Sequence, residues 1–172
     1  MFYTRAFPKL TVLVTCIDED KPNIITVAWH SPISALPPLY GILLSPKRYS
    51  HELIHNSKEF TINFCGFDII EKVHMCGKVS GRNTDKFKIT GLTKVKAKKV
   101  KPPIIGEAYA SFECKLVEEK KYGDHTLFVG EVVEVSEKEG IFKEEIMREG
   151  IYPIYYLGKD QYTTLDGRRA RF

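Results

Sequence analysis

Apolar and polar positions alternate over short runs along most of this chain, the period-two signature of half-buried strands. Leu10–Ile17 and Ile24–His30 flank the turn-rich segment Asp-Glu-Asp-Lys-Pro-Asn and read as a hairpin. Tyr40–Ser45 is a strand that follows Ser-Pro-Ile-Ser-Ala-Leu-Pro-Pro, where the prolines forbid regular ladder bonding. Glu59–Cys65 alternates again. The longest strands come later, at Leu92–Val100, Ala108–Glu119 and Thr126–Glu137, and Gly123–Asp124 favours a tight hairpin between the last two. Ile154–Leu157 and Gln161–Thr164 form a small hairpin or a pair of edge strands.

The pattern changes period in two places. Arg-Tyr-Ser-His-Glu-Leu-Ile-His-Asn-Ser carries Leu53 and Ile54 between capping residues and predicts a short helix opening at Ser50. Asp68–Cys76 places Ile69, Ile70, Val73 and Met75 at helical spacing, with Asp68 as N-cap. The stretch from Gly77 to Gly91 is a loop rich in Gly, Ser and Asn, with one helical turn around Asp85–Phe87. The sum is roughly seven to nine strands with two or three short helices, a mainly β, closed or partly closed antiparallel barrel.

Composition narrows the class. At 172 residues, 43% hydrophobic and 12% aromatic, the chain builds one cored domain spanning 1–172. Disorder, collagen and coiled coil do not fit. No apolar run approaches the roughly 18 residues that span a bilayer. The amino-terminal segment reads as a first strand rather than a leader, so the expected location is cytoplasmic. A net charge of +4 suits a small anion at least as well as nucleic acid. Lys94, Lys96, Lys98, Lys99 and Lys101 fall mostly on alternate positions and read as a solvated face of a strand; the Arg168, Arg169, Arg171 tail reads as a solvated terminus.

Candidate chemistry is sparse. Cys16, Cys65, Cys76 and Cys114 show no Cys-x-x-Cys pairing, so neither a metal cluster nor a disulfide framework is expected. Three sit in apolar runs as small core residues, whereas Cys76 precedes a glycine and stands apart. His51-Glu52-Leu53-Ile54-His55 matches the zinc-protease helix pattern, yet no third ligand follows at the required spacing and Leu53 and Ile54 belong to a core; we expect no metal. Ser45-Pro46-Lys47-Arg48-Tyr49-Ser50 sets hydroxyls and two cations ahead of a helix start, whose free N–H groups can hold a phosphate. Read alone, such a segment is more often a cap with solvated cations than a phosphate site.

Four pieces in order carry a resemblance over nearly the whole chain, from Phe7 to Leu165. They are Asn23-Ile-Ile-Thr-Val-Ala-Trp-His-Ser-Pro-Ile-Ser34, then Pro-Pro with a strand and Ser45-Pro-Lys-Arg-Tyr-Ser-His-Glu-Leu-Ile54, then Glu59-Phe-Thr-Ile-Asn-Phe64, then Gly123-Asp-His-Thr-Leu-Phe-Val-Gly-Glu-Val132. Together they resemble the flavin reductase-like, FMN-binding split-barrel family, which includes flavoredoxins and the reductase partners of flavin-dependent monooxygenases. The resemblance implies an antiparallel split β-barrel of Greek-key type that forms a homodimer and binds FMN non-covalently. It implies that Thr26, Val27, Ala28 and Trp29 run beside the flavin ring, that Ser45, Lys47, Arg48 and Ser50 receive the phosphate, and that the loop with Cys76, Gly77, Ser80 and Gly81 closes over the cofactor. His125 then stands where the nicotinamide of NAD(P)H approaches. Electrons pass from NAD(P)H or a protein donor to an acceptor such as free flavin or ferric iron; the alternative is a flavoredoxin-type carrier with little NAD(P)H activity. Neither nucleic acid nor membrane is implied. Because the flavin carries the redox chemistry, no hydrolytic triad is needed. The lysine-rich strand and the Pro-Lys-Arg-Tyr phosphate segment depart from the family's usual wording.

Overall fold

The alternating runs become antiparallel strands that pool one face in a shared interior. The computed structural model describes residues 1–168. A 3-10 turn at Phe2–Ala6 leads into β1 (Lys9–Leu10), β2 (Val12–Asp18), β3 (Lys21–Val27), β4 (His30–Ser34) and β5 (Leu39–Leu44). Helix α1 (Tyr49–Ser57) and β6 (Glu59–Phe64) follow, then a 3-10 turn at Phe67–Ile69, α2 (Ile70–Lys78) and α3 (Lys86–Thr90). Next come β7 (Lys94–Val95), β8 (Ile104–Ile105), β9 (Ala110–Tyr122) and β10 (His125–Glu137). Short strands β11 (Phe142–Lys143), β12 (Ile146–Met147), β13 (Tyr155–Gly158) and β14 (Gln161–Thr163) complete the description. Arg169 and Arg171 of the basic tail lie outside the described residues.

The main sheet has seven strands in the order β3-β2-β6-β9-β10-β5-β4. Its two edge strands are neighbours in sequence, since β3 ends at Val27 and β4 begins at His30. Three residue steps reach at most about 11 Å. Laid flat, six inter-strand spacings would hold those edges about 29 Å apart. The sheet must therefore curl until its edges approach, and Trp29 in the connection already continues the β4–β5 register, its carbonyl accepting from Leu43 N–H at 2.9 Å. The product is the split barrel.

Val12, Val14 and Cys16 of β2 face the barrel interior with Ile42, Phe60, Ile62 and Phe128. Leu13 faces the other way, beneath α2 and α3, with Ile24, Val73 and Phe87. Strand β2 is thus buried on both faces, which explains its unbroken apolar run. Gly130 in β10 makes room for the interior: a Cβ there would lie 2.7 Å from the Phe60 ring and 2.8 Å from Cys114 Cβ.

Several local expectations change. The lysine-rich segment is a strand only at Lys94–Val95, paired with Ile104–Ile105. Beyond it, the fully buried Glu113 carboxylate accepts the N–H groups of Lys98 at 2.9 Å and Lys99 at 2.6 Å, so those residues cannot continue a ladder. Pro32 lies inside β4 rather than in a loop, which its place on the sheet edge permits. Asp68 does not cap α2, because the 3-10 turn at Phe67–Ile69 runs directly into the helix and Ile69 takes the cap position. The second strand of the first hairpin ends at Val27 rather than reaching His30, α1 opens at Tyr49, and the 77–91 loop contains the end of α2 and the whole of α3.

Gly130→Ala should cost about 1–3 kcal/mol, the usual penalty of overpacking a filled core. Urea denaturation measures it; an unchanged midpoint would show slack around Phe60.

Candidate functional site

The seam leaves β3 with a ladder on one side only, to β2. The Ile24 carbonyl points away from β2, where the Lys86 ammonium donates to it at 2.7 Å. By the two-residue period of a strand, the N–H and C=O of Thr26 also face the seam. A cleft of about 820 Å³ runs along this edge, floored by Ile25 to Trp29 and walled by Leu43, Leu44, Ser45, His125 and Tyr156. Its outer end is aromatic. The Trp29 ring packs against His125 with centroids 4.7 Å apart and takes Tyr3 edge-on at 5.1 Å.

His125 opens β10 just after the turn at Gly123, whose φ of 59° suits glycine. Its Nδ1 sits 2.8 Å from the Asp124 carboxylate, and that hydrogen bond holds the Asp124 carboxyl below its ordinary value. Nε2 is the ring nitrogen left for other work.

At its inner end the cleft joins a smaller cavity of about 190 Å³, sharing Ile25, Thr26, Lys47 and Arg48 with it. Lys47, Arg48, Lys78 and Lys86 line this cavity, and among the described residues no carboxylate does. Lys86 is the most telling. It is only 4% exposed, and its ammonium bonds two backbone carbonyls, of Ile24 and Cys76, both at 2.7 Å. Burial, with Arg48 nearby, pulls its pKa below the usual lysine value. Beside it Asn23 donates to the Ser50 hydroxyl at 2.8 Å, while its Oδ1 is buried without a partner. Helix α1 points its first turn here, with no side chain capping it.

Every candidate residue from the sequence therefore lines the cleft or the cavity. Their uses differ. The Thr26 hydroxyl donates to the Val73 carbonyl at 2.6 Å and ties β3 to α2, leaving its backbone toward the seam. Val27 is buried with the barrel core. Ser50 is buried and meets Asn23, and Ser45 and Ser80 accept from the N–H groups of Lys47 and Arg82. The Cys76 thiol is buried and pushed up to about 11 by desolvation, so Cys76 acts through its carbonyl. Gly77 lets α2 approach within 3.3 Å of Thr26 at the position of a Cβ, and Gly81 lies against the Asn23 amide.

The chain matches the model of the flavin reductase like domain over residues 4–165. It belongs to the flavin reductase-like family. Relatives include an uncharacterised Pyrococcus abyssi protein, 37% identical over 82% of this chain and 81% of its own. Among solved structures, the FMN-binding protein from Thermus thermophilus superposes with a TM-score of 0.91 at 32% identity, covering 98% of this chain and 93% of that one. The flavoredoxin of Desulfovibrio vulgaris (Miyazaki F) gives 0.86 at 27% identity, covering 96% and 91%.

In this flavin reductase-like chain, the zinc-like pattern is dispersed: His51 bonds the Thr126 hydroxyl, His55 pairs with Glu119, and Glu52 pairs with Arg82. Among the described residues no helix is long and apolar enough to cross a membrane. Sequence reasoning missed Asn23, Lys86, Tyr156 and the aromatic amino-terminal wall. For Asn23 a signal existed, since it is a polar residue at an inward position beside Ile24 and Ile25. For Lys86 none did.

Proposed function

We propose that the chain binds FMN non-covalently along the seam and passes electrons from NAD(P)H or a protein donor to an acceptor such as free flavin or ferric iron. The observation that carries this reading is a buried, carboxylate-free cationic cavity opening beside a strand edge whose backbone is unladdered. A buried ammonium without a counter-ion is costly. An anion seated by Lys86, Lys47, Arg48 and the start of α1 removes that cost, and a phosphate dianion fits the donor set. Asn23 Oδ1, orphaned in the same cavity, is an acceptor suited to a hydroxyl of a ribityl chain. Thr26 offers an N–H and a C=O together, which is what the edge of a flavin ring requires.

The residues present thus fit FMN. When bound, FMN supplies the hydride and single-electron chemistry itself. The chain's part is to bind and orient. Lys86 and Arg48 hold the charged tail, Thr26 to Trp29 fix the plane, and His125, its Nδ1 tied to Asp124, positions an incoming nicotinamide. The likeness to the Desulfovibrio flavoredoxin favours a second reading, a carrier with little NAD(P)H activity. Stopped-flow reduction by NADH and NADPH separates the two.

Excess FMN followed by gel filtration should leave one flavin per chain and quench the fluorescence of Trp29, the sole tryptophan. A colourless protein with unquenched Trp29 overturns the reading. Lys86→Met should weaken FMN binding at least about tenfold, the scale of a lost charge-assisted contact. His125→Ala should retain the flavin yet slow its reduction by NAD(P)H about tenfold or more; unaltered rates would remove His125 from the site.

We also propose a homodimer. An apolar groove of about 590 Å³ lined by Leu10, Phe64, Phe112, Met147 and the exposed Val135 supports burial against a second copy. Sedimentation should report twice the chain mass of 19.7 kDa, and a monomer at micromolar concentration would refute it.

A further inference from the structure

The cation-rich cavity has two walls that no strand pairing joins. One is the run from Lys47 to Ser50 at the start of α1, and the other runs from Cys76 at the end of α2 to Gly81 in the loop beyond. None of the residues from Val79 to Thr84 is buried, so no core packing holds that loop in place. It nevertheless passes so close over Asn23 that a Cβ at Gly81 would collide with the orphaned Oδ1. Arg82 supplies the tie. Its guanidinium lies 4.6 Å from the centroid of the Tyr49 ring, and its Nη2 pairs with the Glu52 carboxylate. Tyr49 and Glu52 stand three residues apart on one face of α1. The ring is braced at its other end, where the Tyr49 hydroxyl donates to the Asp18 carboxylate at 2.8 Å. Among the described residues from Val79 to Thr84, Arg82 alone makes a side-chain hydrogen bond, ion pair or ring contact with another element.

We propose that Arg82 is a positioning residue that clasps the 79–84 loop to α1 and so sets how long a flavin stays bound, an inference that rests on the flavin reading of the cavity. Arg82 acts through the placement of Ser80 and Gly81 and not by touching the phosphate, for it does not line the cavity that Lys47, Arg48 and Lys86 do. Walls held together enclose a seated tail; walls free to part release it sooner. Entry gains from the same parting. That separates a clasp from a steering cation, whose loss slows association. A clasp also holds a flavin with or without its phosphate, whereas a phosphate ligand discriminates between them.

The test is stopped-flow binding and release of FMN and of riboflavin, followed by flavin fluorescence, in wild type, Arg82→Ala and Glu52→Gln. Tryptic cleavage after Lys78 is measured in parallel on the flavin-free proteins. Arg82→Ala should speed release of both flavins about tenfold, the scale of an exposed cation–π contact and an exposed ion pair lost together. Glu52→Gln keeps the ring contact and should speed release about threefold. Association should be undiminished in both. Cleavage after Lys78 should quicken in the same order, since it reads the population of the open loop. Unchanged release overturns the proposal. So does slower association at unchanged release, which would make Arg82 a steering charge, and so does an effect confined to FMN, which would make it a phosphate ligand. A wild type that takes up neither flavin removes the flavin reading instead; quickened cleavage in the variants then leaves the clasp standing as the closure of the cavity, and equal cleavage removes the clasp as well.

Discussion

A short tether governs this molecule. Val27 and His30 end the two edge strands of a seven-stranded sheet, and the chain between them is too short to let those edges separate. Closure follows, but only in part, because Ala28 and Trp29 spend their length on the crossing and leave the outer side of β3 without a ladder. His30 fastens the far end of the tether: Nε2 donates to the Leu10 carbonyl at 2.9 Å, which leaves Nδ1 to accept from the Tyr40 hydroxyl at 2.7 Å. Burial keeps that imidazole's pKa below its ordinary value, favouring the neutral form this bonding requires.

Partial closure creates unsatisfied backbone, and the fold concentrates unsatisfied charge beside it. Lys86 trades water for two carbonyls, a fair exchange of hydrogen bonds but a poor one for a full positive charge. Asn23 Oδ1 adds an acceptor that folding leaves unpaired. Both costs fall in one small cavity, and both are of the sort that a ligand carrying a phosphate and hydroxyls would remove. Structural accidents would be scattered more widely.

The strands and the cluster of candidate residues were legible because their signals are local. Alternation locates β6, β9 and β10, an unbroken apolar run locates β2, and the Thr-Val-Ala-Trp and Ser-Pro-Lys-Arg segments place a plane and a cation pair without reference to the rest of the chain. What was not legible depends on distant partners. The lysine-rich segment reads as a strand until the buried carboxylate of Glu113, 15 residues beyond Lys98, claims its N–H groups. Pro32 argues against a strand until β4 is known to lie at an edge. Lys86 looks like any solvated lysine in a polar loop, since its burial is decided by the Ile24 carbonyl 62 residues away.

Arg48 joins these parts electrostatically. It stands at the N-cap position of α1, lines both the cleft and the cation-rich cavity, and adds to the burial that lowers the Lys86 pKa. Opposite unit charges about 4 Å apart attract by about 4 kcal/mol near a protein surface. An anion seated against Arg48 therefore relieves two cations at once, Arg48 and Lys86.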